Sequence, residues 1–146
     1  MFFQKILLIL HSKIHKTAMA ITEGLTYTST LTVKEEHLAS HVGSGDLDVF
    51  ATPMMMALME NAAMLSVAPD LEEGQSTVGG MISSSHIKPT GLGKTVSATA
   101  VLTKVDGRKL YFKVTAADEE GAIGEGEHLR FIISKEKFMS KVKSCS

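Results

Sequence analysis

Residues 53–69 read PMMMALMENAAMLSVAP, and the reading of this stretch decides the fold. Ala, Leu and Met are strong helix formers, Thr52-Pro53 supplies an N-cap residue followed by proline at the first helical position, and Pro69 closes the run. A helix over residues 53–67 is predicted, apolar nearly all round, with Glu60, Asn61 and Ser66 as its polar side chains. Protein surrounds such a helix on most sides. A carboxylate carried into that setting costs several kcal/mol unless it is paired, hydrogen-bonded or protonated. Glu60 is therefore the first candidate for a functional residue.

On either side of the helix the period changes to two. Residues 25–33 (LTYTSTLTV) set Leu25, Tyr27, Leu31 and Val33 on one face against Thr26, Thr28, Thr30 and Thr32, a half-buried strand. Residues 34–49 are polar and contain glycine, which reads as a loop with a turn of helix. After Glu72-Glu73-Gly74, residues 77–88 form a strand with a weak point at Gly79-Gly80, and residues 95–105 alternate Val96, Ala98, Ala100 and Leu102 against Thr95, Ser97, Thr99 and Thr103. Asp106-Gly107 makes a hairpin turn into residues 109–117, and Glu119-Glu120-Gly121 turns into a last strand over residues 122–134. The class is α+β: an antiparallel sheet of about five strands wrapped round one long central helix, each burying the other. Such a unit leaves sheet edges and a helix flank uncovered, so a homodimer is expected.

Composition narrows the partners. The chain has 146 residues, 21% charged and 44% hydrophobic, which fits one ordered domain with a real core. A net charge of −1 argues against nucleic acid as a partner, and nothing approaches the roughly 20 apolar residues of a membrane span. The single Cys145 allows no intrachain disulfide, and a reducing, cytoplasmic location is the simplest expectation. Residues 1–20 read as an N-terminal extension, 21–140 as the domain and 141–146 as a tail. The apolar run at residues 6–10 is short for a signal segment, although Ala18-Met19-Ala20 loosely imitates a cleavage site. A start at Met19 instead of Met1 would leave 146 − 18 = 128 residues.

Three segments carry a family resemblance: VFATPMMMALMENAA (residues 49–63), TVGGMISSSHIKPTGLGKTVSATAVLTKVDGRKL (77–110) and IGEGEHLRFII (123–133). Together they resemble the fluoroacetyl-CoA thioesterase group of hot-dog-fold enzymes, over about residues 25–138. The resemblance implies an acyl-CoA substrate and a catalytic trio at Thr52, Glu60 and His86, with the backbone of Gly79 facing the thioester. At the places of two lid phenylalanines in the fluoroacetate-specific member this chain has Gly43 and Asp46. That departure implies a substrate range not restricted to fluoroacetyl-CoA.

The residue types suit thioester hydrolysis. Histidine is the acid–base group nearest neutrality, and a carboxylate beside it steadies the imidazolium. Thr52 can attack the carbonyl or hold a water that His86 activates, and N–H groups at Gly79 and Gly80 can meet the oxyanion, because glycine lets a ligand approach a strand closely. On one straight helix Thr52 and Glu60 stand about 12 Å apart along the axis, at 1.5 Å per residue. Either Thr52 sits in the loop before the helix with substrate between the two, or the site combines residues from two subunits. A site at the dimer interface is expected, with His86 bridging Glu60 and the reacting centre. Each residue also has a plain structural reading: Thr52 as an N-cap, His86 as a strand-face histidine, Glu60 in an ion pair, and Arg130 in another. The methionines at 54, 55, 56, 59 and 64 read as adaptable core that can also line an acyl pocket. The lysines at 135, 137, 141 and 143 read as a solvated end or a contact for coenzyme A phosphates. The pairs His11/His15 and His37/His41 lack a third ligand, so neither a metal nor a cofactor is expected. Two other activities fit the same frame: hydration or dehydration of an acyl thioester, and non-catalytic binding of a CoA ester.

Overall fold

The alternating segments pair into a single antiparallel sheet in the computed structural model, which describes residues 20–144. The elements are β1 (Thr26–Thr32), α1 (Ala39–Val42), α2 (Thr52–Val67), β2 (Gln75–Ser84), β3 (Thr95–Asp106), β4 (Lys109–Asp118), β5 (Gly121–Ser134) and α3 (Lys135–Ser144). The strand order is β1-β3-β4-β5-β2, so β1 and β2 are the two edges. The β3–β4 hairpin turns at Gly107, whose φ of 59° is the left-handed value that glycine adopts without strain.

The helix α2 lies across the inner face. Its Met55, Met59, Ala62, Ala63 and Val67 meet Val96, Ala98, Ala100 and Leu102 of β3 and Leu110, Phe112 and Val114 of β4, all buried. The alanines of β3 alternate inward, and their small side chains let the helix approach the sheet. Two of the helix's four polar side chains bond into the interior: Asn61 Oδ1 accepts from Ser29 Oγ at 2.7 Å, and Ser66 Oγ donates to the Ala63 carbonyl at 2.7 Å.

Four sequence expectations change. The helix begins at Thr52 and its N-cap is Ala51, which makes no side-chain capping bond, so the Thr52 hydroxyl does not cap the helix. Glu60 is not enclosed within the chain: its side chain is 41% exposed, beside Arg130. In β1 the inward position at the centre belongs to Ser29, whereas Tyr27 is largely exposed. The lysine-rich end forms α3 rather than a simple tail, with Phe138, Met139 and Val142 all exposed. No helix among the described residues is long and apolar enough to cross a membrane. Met19, Cys145 and the His11/His15 pair lie outside the described residues.

Candidate active site

Freed from capping, the Thr52 hydroxyl lies 2.7 Å from His86 Nδ1. His86 follows β2 on a continuation of the same extended backbone: Ser85 N–H and Ile87 N–H still bond to the Glu125 and Ile123 carbonyls of β5. Its ring stands edge-on to Phe50, with centroids 6.4 Å apart. Burial pushes the imidazole below its ordinary pKa, favouring the neutral form that a general base needs. His86 Nε2 is buried and has no hydrogen-bond partner among the described residues. The pair lines an open cleft of about 260 Å³, together with Ser44, Val49 and Lys88.

Glu60 sits beside the middle of β2. Its Oε2 is 3.5 Å from Arg130 Nη1, and a Cβ built on Gly79 would lie 2.7 Å from the same oxygen. Any side chain at 79 would displace the carboxylate, and this explains the glycine. Arg130 is held by Thr77, through Nε to the hydroxyl at 2.8 Å and Nη2 to the carbonyl at 2.9 Å. Its Nη1 also lies 3.2 Å from His128 Nε2, and His128 Nδ1 lies 2.7 Å from the Met81 carbonyl. An arginine cannot accept, so His128 Nε2 accepts and Nδ1–H donates to Met81. The β-bulge between Gly79 and Met81 makes this possible by turning the Met81 carbonyl toward the histidine. Gly80, on the bulge, faces the opposite side of the sheet beneath the Phe131 ring.

The candidates thus divide into two half-sites. Thr52 and His86 are in contact, and Glu60 and Gly79 are in contact, but the ion pair of Glu60 is with Arg130 and not with His86. From Gly79 to His86 the extended chain covers roughly 20 Å at about 3.3 Å per residue. The structural ion pair read for Arg130 is present, and its partner is the candidate acid itself. His128 was missed by sequence reasoning. The signal was available in β5, where Gly126, His128 and Arg130 alternate onto the core-facing side. In the other histidine pair, His37 Nδ1 accepts from Lys34 N–H at 3.0 Å. Among the described residues no group of three His, Cys, Asp or Glu side chains is placed to hold a metal ion.

His128 carries a testable pH dependence. Burial lowers its pKa, and the Arg130 charge acts in the same sense, while the Met81 carbonyl and Glu60 oppose them. With the folded pKa below the unfolded value of about 6.5, the unfolded chain binds more protons in between, and stability falls as pH drops through that interval. Thermal melts at pH 7.5 and pH 5 are expected to show this loss. His128→Gln, which keeps one donor and one acceptor, is expected to reduce it, leaving the part contributed by His86, whose pKa burial also lowers. An equal pH dependence in the variant would exclude His128 as its source.

Comparison with known proteins gives this geometry its context. The model of the family described as fluoroacetyl-CoA-specific thioesterase matches residues 33–136. The chain belongs to this family. The fluoroacetyl-CoA thioesterase of Streptantibioticus cattleyicolor is 44% identical over 96 residues, covering 66% of this chain and 69% of that protein. The solved structure of the fluoroacetyl-CoA thioesterase FlK superposes with a TM-score of 0.81 at 34% identity, covering 87% of this chain and 98% of that one. A hot-dog-like protein from Thermanaerovibrio acidaminovorans shares the fold alone, with a TM-score of 0.77 at 19% identity over 88% of this chain and 94% of that one. The fold is the hot-dog fold and the enzyme is a thioester hydrolase, as the sequence resemblance implied.

Proposed function

We propose that this thioester hydrolase cleaves small acyl-CoA esters to a carboxylate and free CoA at a site completed by a second copy of the chain. The observation that carries the proposal is the Thr52–His86 hydrogen bond in an open cleft, with the far nitrogen of the imidazole buried and unpaired. When the Thr52 hydroxyl donates to Nδ1, the neutral ring carries its proton on Nε2. A carboxylate facing Nε2 would accept that proton's hydrogen bond and steady the imidazolium formed on proton uptake.

The edge strand supplies a route for that carboxylate. Pairing β2 antiparallel with the β2 of a second copy, centred on Ser83, sets Ile82 opposite Ser84 and, allowing for the extra residue of the bulge, Gly79-Gly80 opposite His86, with Gly79 on the core-facing side. Ile82 and Ser84 share the core-facing side, opposite His128 and Gly126 of β5, so the faces match. Glu60 and the Gly79-Gly80 backbone of one copy then come beside Thr52 and His86 of the other. The same contact covers the exposed flank of α2 and an open sheet edge, both of which favour burial.

In the reaction, His86 takes a proton from Thr52 or from a water held by it, and the oxygen attacks the thioester carbonyl. N–H groups at the Gly79-Gly80 bulge receive the oxyanion. The C–S bond breaks as the proton passes from His86 to the departing CoA thiolate. If Thr52 is the nucleophile, water then hydrolyses the acyl ester by the same proton path. Hydration of an acyl thioester would leave the Thr52 hydroxyl without a role, and its bond to His86 favours hydrolysis. Gly43 ends α1 and Asp46 lies in the exposed loop behind it, so neither places an aromatic lid on the cleft. A broader substrate range than fluoroacetyl-CoA follows. Free-thiol release from fluoroacetyl-, acetyl-, propionyl- and butyryl-CoA tests the proposal: turnover of several is expected. No turnover of any by folded protein would overturn hydrolysis, and turnover of fluoroacetyl-CoA alone would overturn the breadth.

A further inference from the structure

One buried carboxylate has no part in the chemistry above. Asp118 ends β4 with its side chain only 4% exposed. Its Oδ2 accepts from Lys88 Nζ at 2.5 Å and from Thr90 Oγ1 at 2.9 Å, and its Oδ1 accepts from Glu120 N–H at 2.9 Å. Lys88 also reaches Glu120 Oε2 at 2.8 Å. Thr90 is buried, and its carbonyl accepts from Phe50 N–H at 2.8 Å. Lys88 is two residues from His86, and Phe50 is two residues from Thr52.

We propose that Asp118 is a positioning residue for hydrolysis, fastening the segment that carries His86 to the segment that delivers Thr52. The inference rests on the hydrolytic reading of that pair. Through Lys88 it anchors the chain just after the β5 ladder has released it, and through Thr90 it anchors Phe50, whose ring packs on the imidazole. The Thr52–His86 separation is thereby set from behind the cleft by a group that touches neither side chain. The Lys88 hydrogen bond, with help from Glu120 N–H and Thr90, holds the Asp118 carboxyl at about 2 against the effect of burial, so the clamp is ionised throughout the neutral range. A misplacement of about 1 Å between reacting groups can lower a rate about 100-fold, and this gives a remote anchor its leverage.

The test measures kcat and KM of the full chain, per folded protein, on an acyl-CoA that the wild type turns over. Asp118→Asn and Lys88→Met are each expected to lower kcat by about 10- to 100-fold with KM nearly unchanged, and Lys88→Arg to recover most of the loss. Wild-type kcat in Asp118→Asn, even with a lower melting temperature, would make Asp118 merely structural and overturn the proposal. A raised KM at constant kcat would assign Lys88 to substrate binding and overturn it equally. Should Asp118→Asn fail to fold, Lys88→Met and Lys88→Arg carry the same test from the half-exposed end of the pair. His86→Ala separates the two levels. If it keeps full activity the hydrolytic reading falls, and the clamp with it. If it is inactive while Asp118→Asn and Lys88→Met match the wild type, only the clamp falls.

Discussion

Replacing His86 with alanine is expected to lower kcat/KM for acyl-CoA hydrolysis by at least about 100-fold, the usual scale for loss of a general base. The ring accepts from Thr52 at 2.7 Å and is pushed by burial toward its neutral, proton-accepting form. It is only partly buried and packs edge-on to Phe50, so the substitution costs little of the core and the variant should fold. Thr52→Ala is expected to lose activity on the same scale, whereas Thr52→Ser, which keeps the hydroxyl, should retain most of it. Rates per folded protein, with circular dichroism as the check on folding, decide the matter. An unchanged rate in His86→Ala would remove it from the mechanism. Loss in both Thr52 variants alike would show that the methyl group, not the hydroxyl, is what matters.

The second large effect is recovery rather than loss. Glu60→Gln and His86→Ala are each expected to be nearly inactive alone. Mixed and allowed to exchange subunits, they should regain about a quarter of wild-type activity, as follows from random pairing in a two-fold dimer. About half of the dimers are then mixed. Each mixed dimer has one site that lost both groups and one that kept His86 from the first chain and Glu60 from the second. If both groups of one site came from the same chain, no mixed dimer would contain an intact site. Absence of recovery, with exchange verified by mass spectrometry, would therefore confine the site to single chains. The prediction stands on separation: Glu60 pairs with Arg130 beside Gly79, while Thr52 and His86 pair at the far end of β2.

Much of the architecture was legible because it depends on local period. Alternation marked β1, β3 and β4, the apolar run marked α2, and Asp106-Gly107 marked its hairpin. The helix start was misjudged by one residue, and that single position decided whether Thr52 capped a helix or faced a histidine. Capping and a bond to His86 compete for the same hydroxyl, and composition around residue 52 does not distinguish them. His128 escaped notice because its value lies in what surrounds it. Alternation in β5 puts His128 on the core-facing side, but its partners emerge only once β5 is laid beside β4 and β2, where His128 stands opposite Phe112 and Ile82. Lys88 and Asp118 are likewise 30 residues apart and meet only through the sheet.

By itself the sequence determined the class of the fold and the family, and it nominated Thr52, Glu60 and His86 as candidate site residues. Those follow from short-range propensity and from motif spacing, which any chain with these residues would carry. Tertiary structure alone decided which of them touch. The bulge at Gly79 reverses the faces of β2 partway along, placing Glu60 against a glycine backbone and Met81's carbonyl against His128. A shift of one residue in strand register exchanges every inward side chain for an outward one, so contacts across 30 or more residues are set by the ladder and not by the local pattern. For the same reason β2 became an edge strand, a fact about the order of strands that no single segment encodes.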